Sequence, residues 1–255
     1  CLSCIDLLVY LYWRVLKLDP TQPDDPQRDR LILSKGHAAP ALFQVLAARG
    51  FFEVDALESY GEDGSVFGEH PPAPQYLVGI EAATGSLGHG LPLGLGMALA
   101  SRIANNPYRV FAILSDGECN EGSVWEAALM ASAQKTVNLT IFIDYNKWQA
   151  TGRSDEVLGL APLAAKWAAF GWCVREIDGH DFTAMHHALT EIENDDRPKV
   201  IVANTVKGKG VSFMEDDNNW HYRIPKREEV LAAATELGID AAERRMDGVT
   251  PRSHE

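Results

Sequence analysis

Four groups of side chains in this sequence have types and spacing that can do chemistry. Asp116 closes the apolar run VFAILSD (110–116) and is followed by Gly117, while Asn146 stands just past the next such run, LTIFIDY (139–145). If both runs are strands joined by one helix, they form a βαβ crossover, and both side chains emerge at one edge of a parallel sheet. Open α/β sheets bind ligands at that edge. A carboxylate and an amide oxygen are hard donors suited to Mg²⁺ that also takes phosphate oxygens. Taken alone, the two residues read more readily as loop-favouring types that follow strands.

The second group is Gly85-Ser86-Leu87-Gly88, which opens a helix. Free N–H groups and the positive end of the helix dipole make such a turn an anion site, although close helix–strand packing demands glycine just as much. Its spacing is not that of a dinucleotide-binding G-x-G-x-x-G, and Lys207-Gly208-Lys209-Gly210 is not a Walker loop. Lys207 nonetheless follows the last apolar run and places a cation at the same sheet edge; KGKG alone also reads as a solvated turn. The third group is His37, His70 and His221, each in a loop near Gly or Pro, where an imidazole can shuttle protons or simply be polar surface. His180, at a turn before a helix, reads as structural. The last group is acidic. Ser123-Val124-Trp125-Glu126 has the pattern of a capping box, so Glu126 can serve the helix start, and Glu121 lies just before it.

The elements that must position these residues follow from periodicity. Residues 3–18 read as one buried helix ended by Asp19-Pro20, then a loop to Asp29, a strand at 31–34 and a helix at 38–49. Residues 61–81, rich in Gly, Pro and His, read as irregular, and loops of that length are usually functional. A helix from the Gly-rich turn to about 104, strands at 110–116, 139–145, 172–178 and 199–205, and helices near 124–135, 162–169 and 182–193 complete the series. Short apolar strands alternating with helices predict an α/β fold, a doubly wound and mostly parallel sheet with helices on both faces. The chain reads as one domain over 1–255, with a charged tail from about 238.

Composition limits the function classes. A formal charge of −13 argues against nucleic acid and anionic membranes as partners. It also means that a bound diphosphate needs local devices: backbone N–H groups, a few placed cations, or a metal. No apolar run approaches the ~20 residues that span a bilayer. Cys1 and Cys4 form a C-x-x-C with no second pair, which reads as two incidental thiols in a reducing cytoplasm.

With these residues in hand, the segments LSKGHAAPAL (33–42), EAATGSLGHGL (81–91), SDGECNEGSVWEAALMASAQK (115–135), IDYNKWQATG (143–152), FGWCVREIDGHD (170–181) and TVKGKGVSFMEDDNNWH (205–221) resemble the transketolase family, in collinear order over nearly the whole chain. Asp116-Gly117 followed by Asn146 looks like that family's thiamine-diphosphate motif. The resemblance implies a thiamine-diphosphate and Mg²⁺ domain, with Asp116, Asn146 and the carbonyl of Trp148 as metal ligands. Gly85, Ser86, Leu87, Gly117, Asn146, Lys207, His37 and His221 would contact the cofactor. His37, His70 and His221 would act on substrate. Glu121 and Glu126 would lie near a contact between two such domains and link two distant cofactors.

The family's activating glutamate lies in a second, pyrimidine-binding domain, so here it is expected on a partner polypeptide. The expected assembly is a heterotetramer that self-associates through the cofactor domains and acts on sugars or sugar phosphates. The sequence departs from the family at Ser115, His89 and Tyr222. The family's S-G-H-P segment, with a substrate-contacting histidine, falls before Cys1, so the resemblance implies a truncated sequence or an incomplete site. The Asp116/Asn146 pair equally fits half of a 2-oxoacid dehydrogenase or of a deoxyxylulose-phosphate-type synthase. A non-catalytic cofactor-binding relative is the third reading.

Overall fold

The structure is a computed structural model and describes residues 1–239; all but the first two residues of the expected tail lie outside the described residues. Five strands, β1 (Arg30–Leu33), β2 (Val110–Ser115), β3 (Leu139–Tyr145), β4 (Cys173–Asp178) and β5 (Lys199–Asn204), form one parallel sheet in the order β1-β2-β3-β5-β4. The helices are α1 (Ile5–Tyr10), α2 (Ala39–Arg49), α3 (Gly90–Ile103), α4 (Gly122–Ala133), the single turn α5 (Ser154–Val157), α6 (Leu163–Ala169), α7 (Phe182–Ile192) and α8 (Arg227–Glu236).

Strand residues alternate between two cores. Val110, Ala112, Leu114, Ile141, Ile143, Val200 and Val202 pack with Leu91 and Leu95 of α3, Val124 of α4 and Trp167 of α6. Phe111, Ile113, Phe142 and Ile201 pack with Leu7 and Leu8 of α1, Leu42 and Leu46 of α2, and Met185 of α7. Burial on both faces is why these strands are continuous apolar runs rather than alternating ones. No helix among the described residues is long and apolar enough to cross a membrane. All four cysteines are free, and Cys4 is buried in the core rather than paired with Cys1.

Three features depart from the sequence reading. The first helix is not continuous to residue 18: α1 passes into a π-helical turn at Leu11–Val15, closed by a Leu16 N–H bond to the Leu11 carbonyl (2.9 Å), and Leu16 is extended. The cause is Asp29, whose Oδ2 takes the Lys17 N–H at 2.8 Å and whose Oδ1 takes the Arg109 N–H at 3.0 Å, drawing the chain out of the helix toward β2. The second correction is the capping box. A 3₁₀ turn at Gly117–Asn120 runs straight toward α4, which starts at Gly122 with Glu121 at the N-cap. Ser123 is therefore inside the helix, its hydroxyl donates to the Gly88 carbonyl (2.8 Å), and Glu126 has no capping role. Third, α8 and the 3₁₀ turn Asn218–His221 are elements that apolar periodicity does not reveal; α8 buries only Ala234.

Candidate functional site

The parallel register sets all strand ends at one edge. Ser115 pairs with Asp144, and Tyr145 with Asn204, so Asp116, Asn146 and Thr205 leave β2, β3 and β5 side by side. Asp116 is fully buried. Its Oδ2 accepts the Ser154 hydroxyl at 2.6 Å, and its Oδ1 is buried with no hydrogen-bond partner. Burial, reinforced by the nearby Asp144 carboxylate, pushes its carboxyl up to about 6. Ser154 reaches it because the loop after β3 doubles back: the Gln149 N–H bonds the Gly152 carbonyl (2.8 Å) and the Ser154 N–H bonds the Lys147 carbonyl (3.1 Å). Within that loop Asn146 Oδ1 accepts the Trp148 N–H (3.0 Å), and Asn146 Nδ2 donates to the Ser3 hydroxyl (3.3 Å).

These donors fit a hard divalent cation. A buried carboxylate oxygen without a partner is a costly arrangement unless something cationic completes it. Asn146 Oδ1 keeps a second lone pair beyond its one intraloop bond. Among the described residues no group of three His, Cys, Asp or Glu side chains could hold a metal. A metal here would rest on one carboxylate, neutral oxygens and ligand oxygens, which suits Mg²⁺.

Beneath this edge lies a buried ion pair that the sequence reading overlooked. Lys35, just after β1, pairs with Asp144 at the end of β3, and the two side chains are 3% and 0% exposed. Asp144 also accepts the hydroxyls of Ser3 (2.8 Å) and Thr205. Burial alone would raise its carboxyl, but the Lys35 charge and these hydrogen bonds outweigh it and hold the group below the usual carboxylate range.

The Gly-rich turn differs in one respect from the expected anion site. The Gly88 N–H donates to Glu118 Oε1 (2.8 Å) and the Gly90 N–H to Ser34 Oγ (3.0 Å), while Ser34 Oγ itself donates to Glu118. The start of α3 is thus already served by the chain's own buried carboxylate, which also takes the Ser115 N–H (3.3 Å). Gly85, Ser86 and Leu87, upstream of that contact, remain at the half-open surface of the turn. The turn is docked by Thr84, whose hydroxyl donates to the Leu33 carbonyl (2.8 Å), and by Gly36, where a Cβ would lie 2.6 Å from the Gly85 nitrogen. Glu118→Ala would strip acceptors from two buried N–H groups and a hydroxyl. We expect it to cost about 3 kcal/mol or more of unfolding free energy; a urea titration giving a loss under about 1 kcal/mol would contradict this bracing role.

The histidines divide. His37 and His221 face each other with ring centroids 5.7 Å apart, and Lys207 Nζ donates to His221 Nδ1 at 3.2 Å, which leaves Nε2 to carry the neutral ring's proton. Desolvation, then Lys207 and Lys35, lowers His221 to about 4. His37 is open to solvent along one edge yet crowded on its other sides; that crowding, with Lys35 and His221, also holds it below the usual histidine range. Lys207 is lowered by burial and by Lys35. His70 packs on the Gly-rich turn so closely that a Cβ on Gly85 would meet its ring at 3.0 Å. His180 is structural, as expected: Nε2 accepts the Val206 N–H (2.9 Å) and Nδ1 donates to Asp6 (2.6 Å), tying α1 to the loop that carries Lys207.

Gly117 is overlain by Gln149, whose Nε2 is buried without a partner. Glu121 borders the Gly-rich turn, where a Cβ on Gly88 would meet its Cβ at 2.7 Å, and Glu126 lies further along α4. Both are exposed, and Glu126 stands on α4 beside the exposed Leu129 and Met130. Besides Lys35 and Asp144, sequence reasoning missed Glu118, Gln149 and Ser154. The one signal for them was their position within or beside the quoted segments.

The family model described as "Transketolase, thiamine diphosphate binding domain" matches residues 1–246. The chain belongs to the transketolase family. Among its relatives is an apulose-4-phosphate transketolase subunit of Phocaeicola vulgatus, 36% identical over 250 residues, covering 97% of this chain and 88% of that one. Another is the 6-deoxy-6-sulfo-D-fructose transketolase subunit SqwG of a Clostridium species, 40% identical over 242 residues, covering 94% and 88%. The transketolase of Homo sapiens is 36% identical over 235 residues, but the match covers 89% of this chain and only 36% of the human one. The crystal structure of Campylobacter jejuni transketolase superimposes with a TM-score of 0.86 at 28% identity, over 94% of this chain and 38% of that chain. This transketolase-family chain therefore spans most of the short subunits it matches and little more than a third of the long enzymes.

Proposed function

We propose that this chain is the cofactor-binding subunit of a two-chain transketolase, transferring a two-carbon ketol unit between sugars or sugar phosphates. The observation that carries the metal and cofactor part of this reading is the unpartnered, buried Asp116 Oδ1 beside Asn146 at the sheet edge. Asp116, Asn146 Oδ1 and the Trp148 carbonyl would hold Mg²⁺. The metal, Lys207, Gly117 and the backbone of Gly85, Ser86 and Leu87 would take the diphosphate. Thiamine diphosphate, when bound, supplies the thiazolium carbon at which a ketose is cleaved. His37 and His221, kept neutral at pH 7 by their surroundings, would hydrogen-bond the sugar and move protons at the reacting carbon, with His70 approaching from the Gly-rich turn.

Three relatives of similar length are named as subunits of transketolases, which supports a second chain. That chain would bring the pyrimidine-binding domain and the activating glutamate. Two copies of each would form a cytoplasmic heterotetramer, with Glu121 and Glu126 on the exposed α4 flank at the contact between cofactor domains. The test is to co-purify the chain with a candidate pyrimidine-domain subunit and assay ketose-phosphate donor with aldose acceptor. Two-carbon transfer that requires both chains, Mg²⁺ and thiamine diphosphate is the expected result. Turnover of a 2-oxoacid without ketol transfer would replace this reading with another thiamine enzyme, and absence of Mg²⁺-dependent cofactor binding would reduce the chain to a non-catalytic relative.

A further inference from the structure

The loop at residues 146–154 and the loop at residues 206–221 approach the sheet edge from β3 and β5, and the Asp216 side chain makes the larger of two links between them. Asp216 Oδ1 accepts the Trp148 indole N–H (2.7 Å) and Arg153 Nη1 (2.6 Å), while Oδ2 accepts Arg153 Nη2 (2.5 Å). The Arg153 guanidinium also lies over the Trp148 ring, 3.8 Å from its centroid, so carboxylate, cation and indole form one closed cluster. The backbone of Asp216 reaches the other way: its N–H donates to the Lys207 carbonyl at 2.8 Å. It does so from a left-handed conformation (φ +57°), which Asp adopts more readily than most residues. The turn between Lys207 and Asp216 is possible because position 208 is glycine, where a Cβ would collide with the Met214 carbonyl. A second link runs parallel, from Asn218 Nδ2 to the Ala150 carbonyl (3.1 Å).

We propose that Asp216 is a positioning residue that fixes Trp148, and with it the Asn146–Trp148 metal corner, in register with Lys207. The inference rests on the cofactor reading above and assigns to it a residue outside its ligand set. Two groups that must meet one diphosphate sit on separate loops, and their spacing decides whether metal and lysine engage the same ligand. Asp216 holds one loop by its side chain and the other by its backbone. The cluster is partly exposed, with Arg153 and Asp216 side chains 36% and 55% accessible. Ion pairs of that kind contribute little to global stability. Its effect should appear in loop order and cofactor affinity rather than in folding.

The experiment compares wild type, Asp216→Ala and Arg153→Met, each assembled with the partner chain, by calorimetric titration of thiamine diphosphate with saturating Mg²⁺ and with EDTA. Amide hydrogen exchange over residues 147–153 is followed in the same proteins without ligand. We expect Asp216→Ala to weaken Mg²⁺-supported binding about tenfold, roughly the 1.4 kcal/mol of one strong charge-assisted contact. The ratio of affinities with and without Mg²⁺ should shrink, exchange across 147–153 should accelerate, and Tm should move by only a few degrees. Arg153→Met should do the same more weakly, and the double variant should be no worse than Asp216→Ala alone. A purely structural residue would change Tm or exchange without touching the Mg²⁺ ratio, and that outcome overturns the proposal. Wild-type binding matched within twofold by Asp216→Ala overturns it alone; a wild type that binds no thiamine diphosphate overturns the functional reading and this inference together.

Discussion

Asp116→Asn should weaken Mg²⁺-supported binding of thiamine diphosphate by roughly a hundredfold or more while leaving the ligand-free chain at least as stable as wild type. The two effects have opposite signs because one carboxylate serves two balances. Without a metal, Asp116 is fully buried with one oxygen lacking a partner, and burial with the neighbouring Asp144 raises its carboxyl to about 6. A folded value above the unfolded one means that its contribution to stability is present below the unfolded pKa and is lost as pH rises through about 6. At pH 8 the charged form is a burden, so the isosteric amide should raise the ligand-free Tm by a few degrees. With Mg²⁺ present the same charge becomes the only carboxylate in the expected ligand set, and its removal from a buried cation should cost about 3 kcal/mol or more, roughly a hundredfold in affinity. Titration of the assembled enzyme with and without Mg²⁺, alongside thermal unfolding of the free chain, measures both. Affinity retained within about threefold would remove the metal from Asp116; a Tm drop of ten degrees would mean that Oδ1 is satisfied by the protein itself.

The parts of this molecule that could be read from its residues are those in which neighbours in sequence are neighbours in space. β2, β3 and β5 are legible because strands covered on both faces must be unbroken apolar runs. Asp116 and Asn146 are legible because one crossover dictates that both leave the same edge. Lys207 and His221, fourteen residues apart, do meet at 3.2 Å, and His37 faces them. What could not be read depends on contacts across the sheet. Glu118 sits two residues past Asp116 and would pass for a second ligand; only the fold reveals that Ser34, Gly88 and Ser115 consume its oxygens and that α3 has no free anion site at Gly88. Asp216 belongs to the polar stretch EDDNN, and nothing in its spacing indicates Trp148 and Arg153 as partners. The S-x-x-E pattern at 123–126 misleads for the same reason, since the serine hydroxyl is claimed by Gly88 across the loop.

The largest effect on folding should come from Lys35→Met. Lys35 and Asp144 are 109 residues apart in sequence, yet each is the other's buried counter-charge. Such a pair need not stabilise the fold relative to apolar residues of the same shape, because desolvating both charges offsets their attraction. Breaking it is different: a methionine leaves the Asp144 carboxylate in the core with only hydroxyl and amide donors from Ser3, Thr205 and Asn146, and should cost about 3–5 kcal/mol. In a domain of this size that is a fall in Tm on the order of 10 °C. Lys35 is raised and Asp144 lowered by their contact, so the wild type's advantage should hold from the unfolded carboxylate range to the unfolded lysine range. It should be lost only as pH falls through the depressed Asp144 value or climbs through the elevated Lys35 value. Salt should barely alter it, because neither charge meets solvent. Adding Asp144→Asn to Lys35→Met should recover part of the loss, since the orphaned charge goes with it. If the single variant unfolds within about 1 kcal/mol of wild type, or if 0.5 M salt erases roughly half of the difference, the pair is not the buried anchor described here. Asp144 also receives the Asn146 amide, and Lys35 lowers both His37 and His221. The same substitution should therefore disturb the proposed metal corner and the histidine pair together, which a simple loss of core packing at β1 would not do.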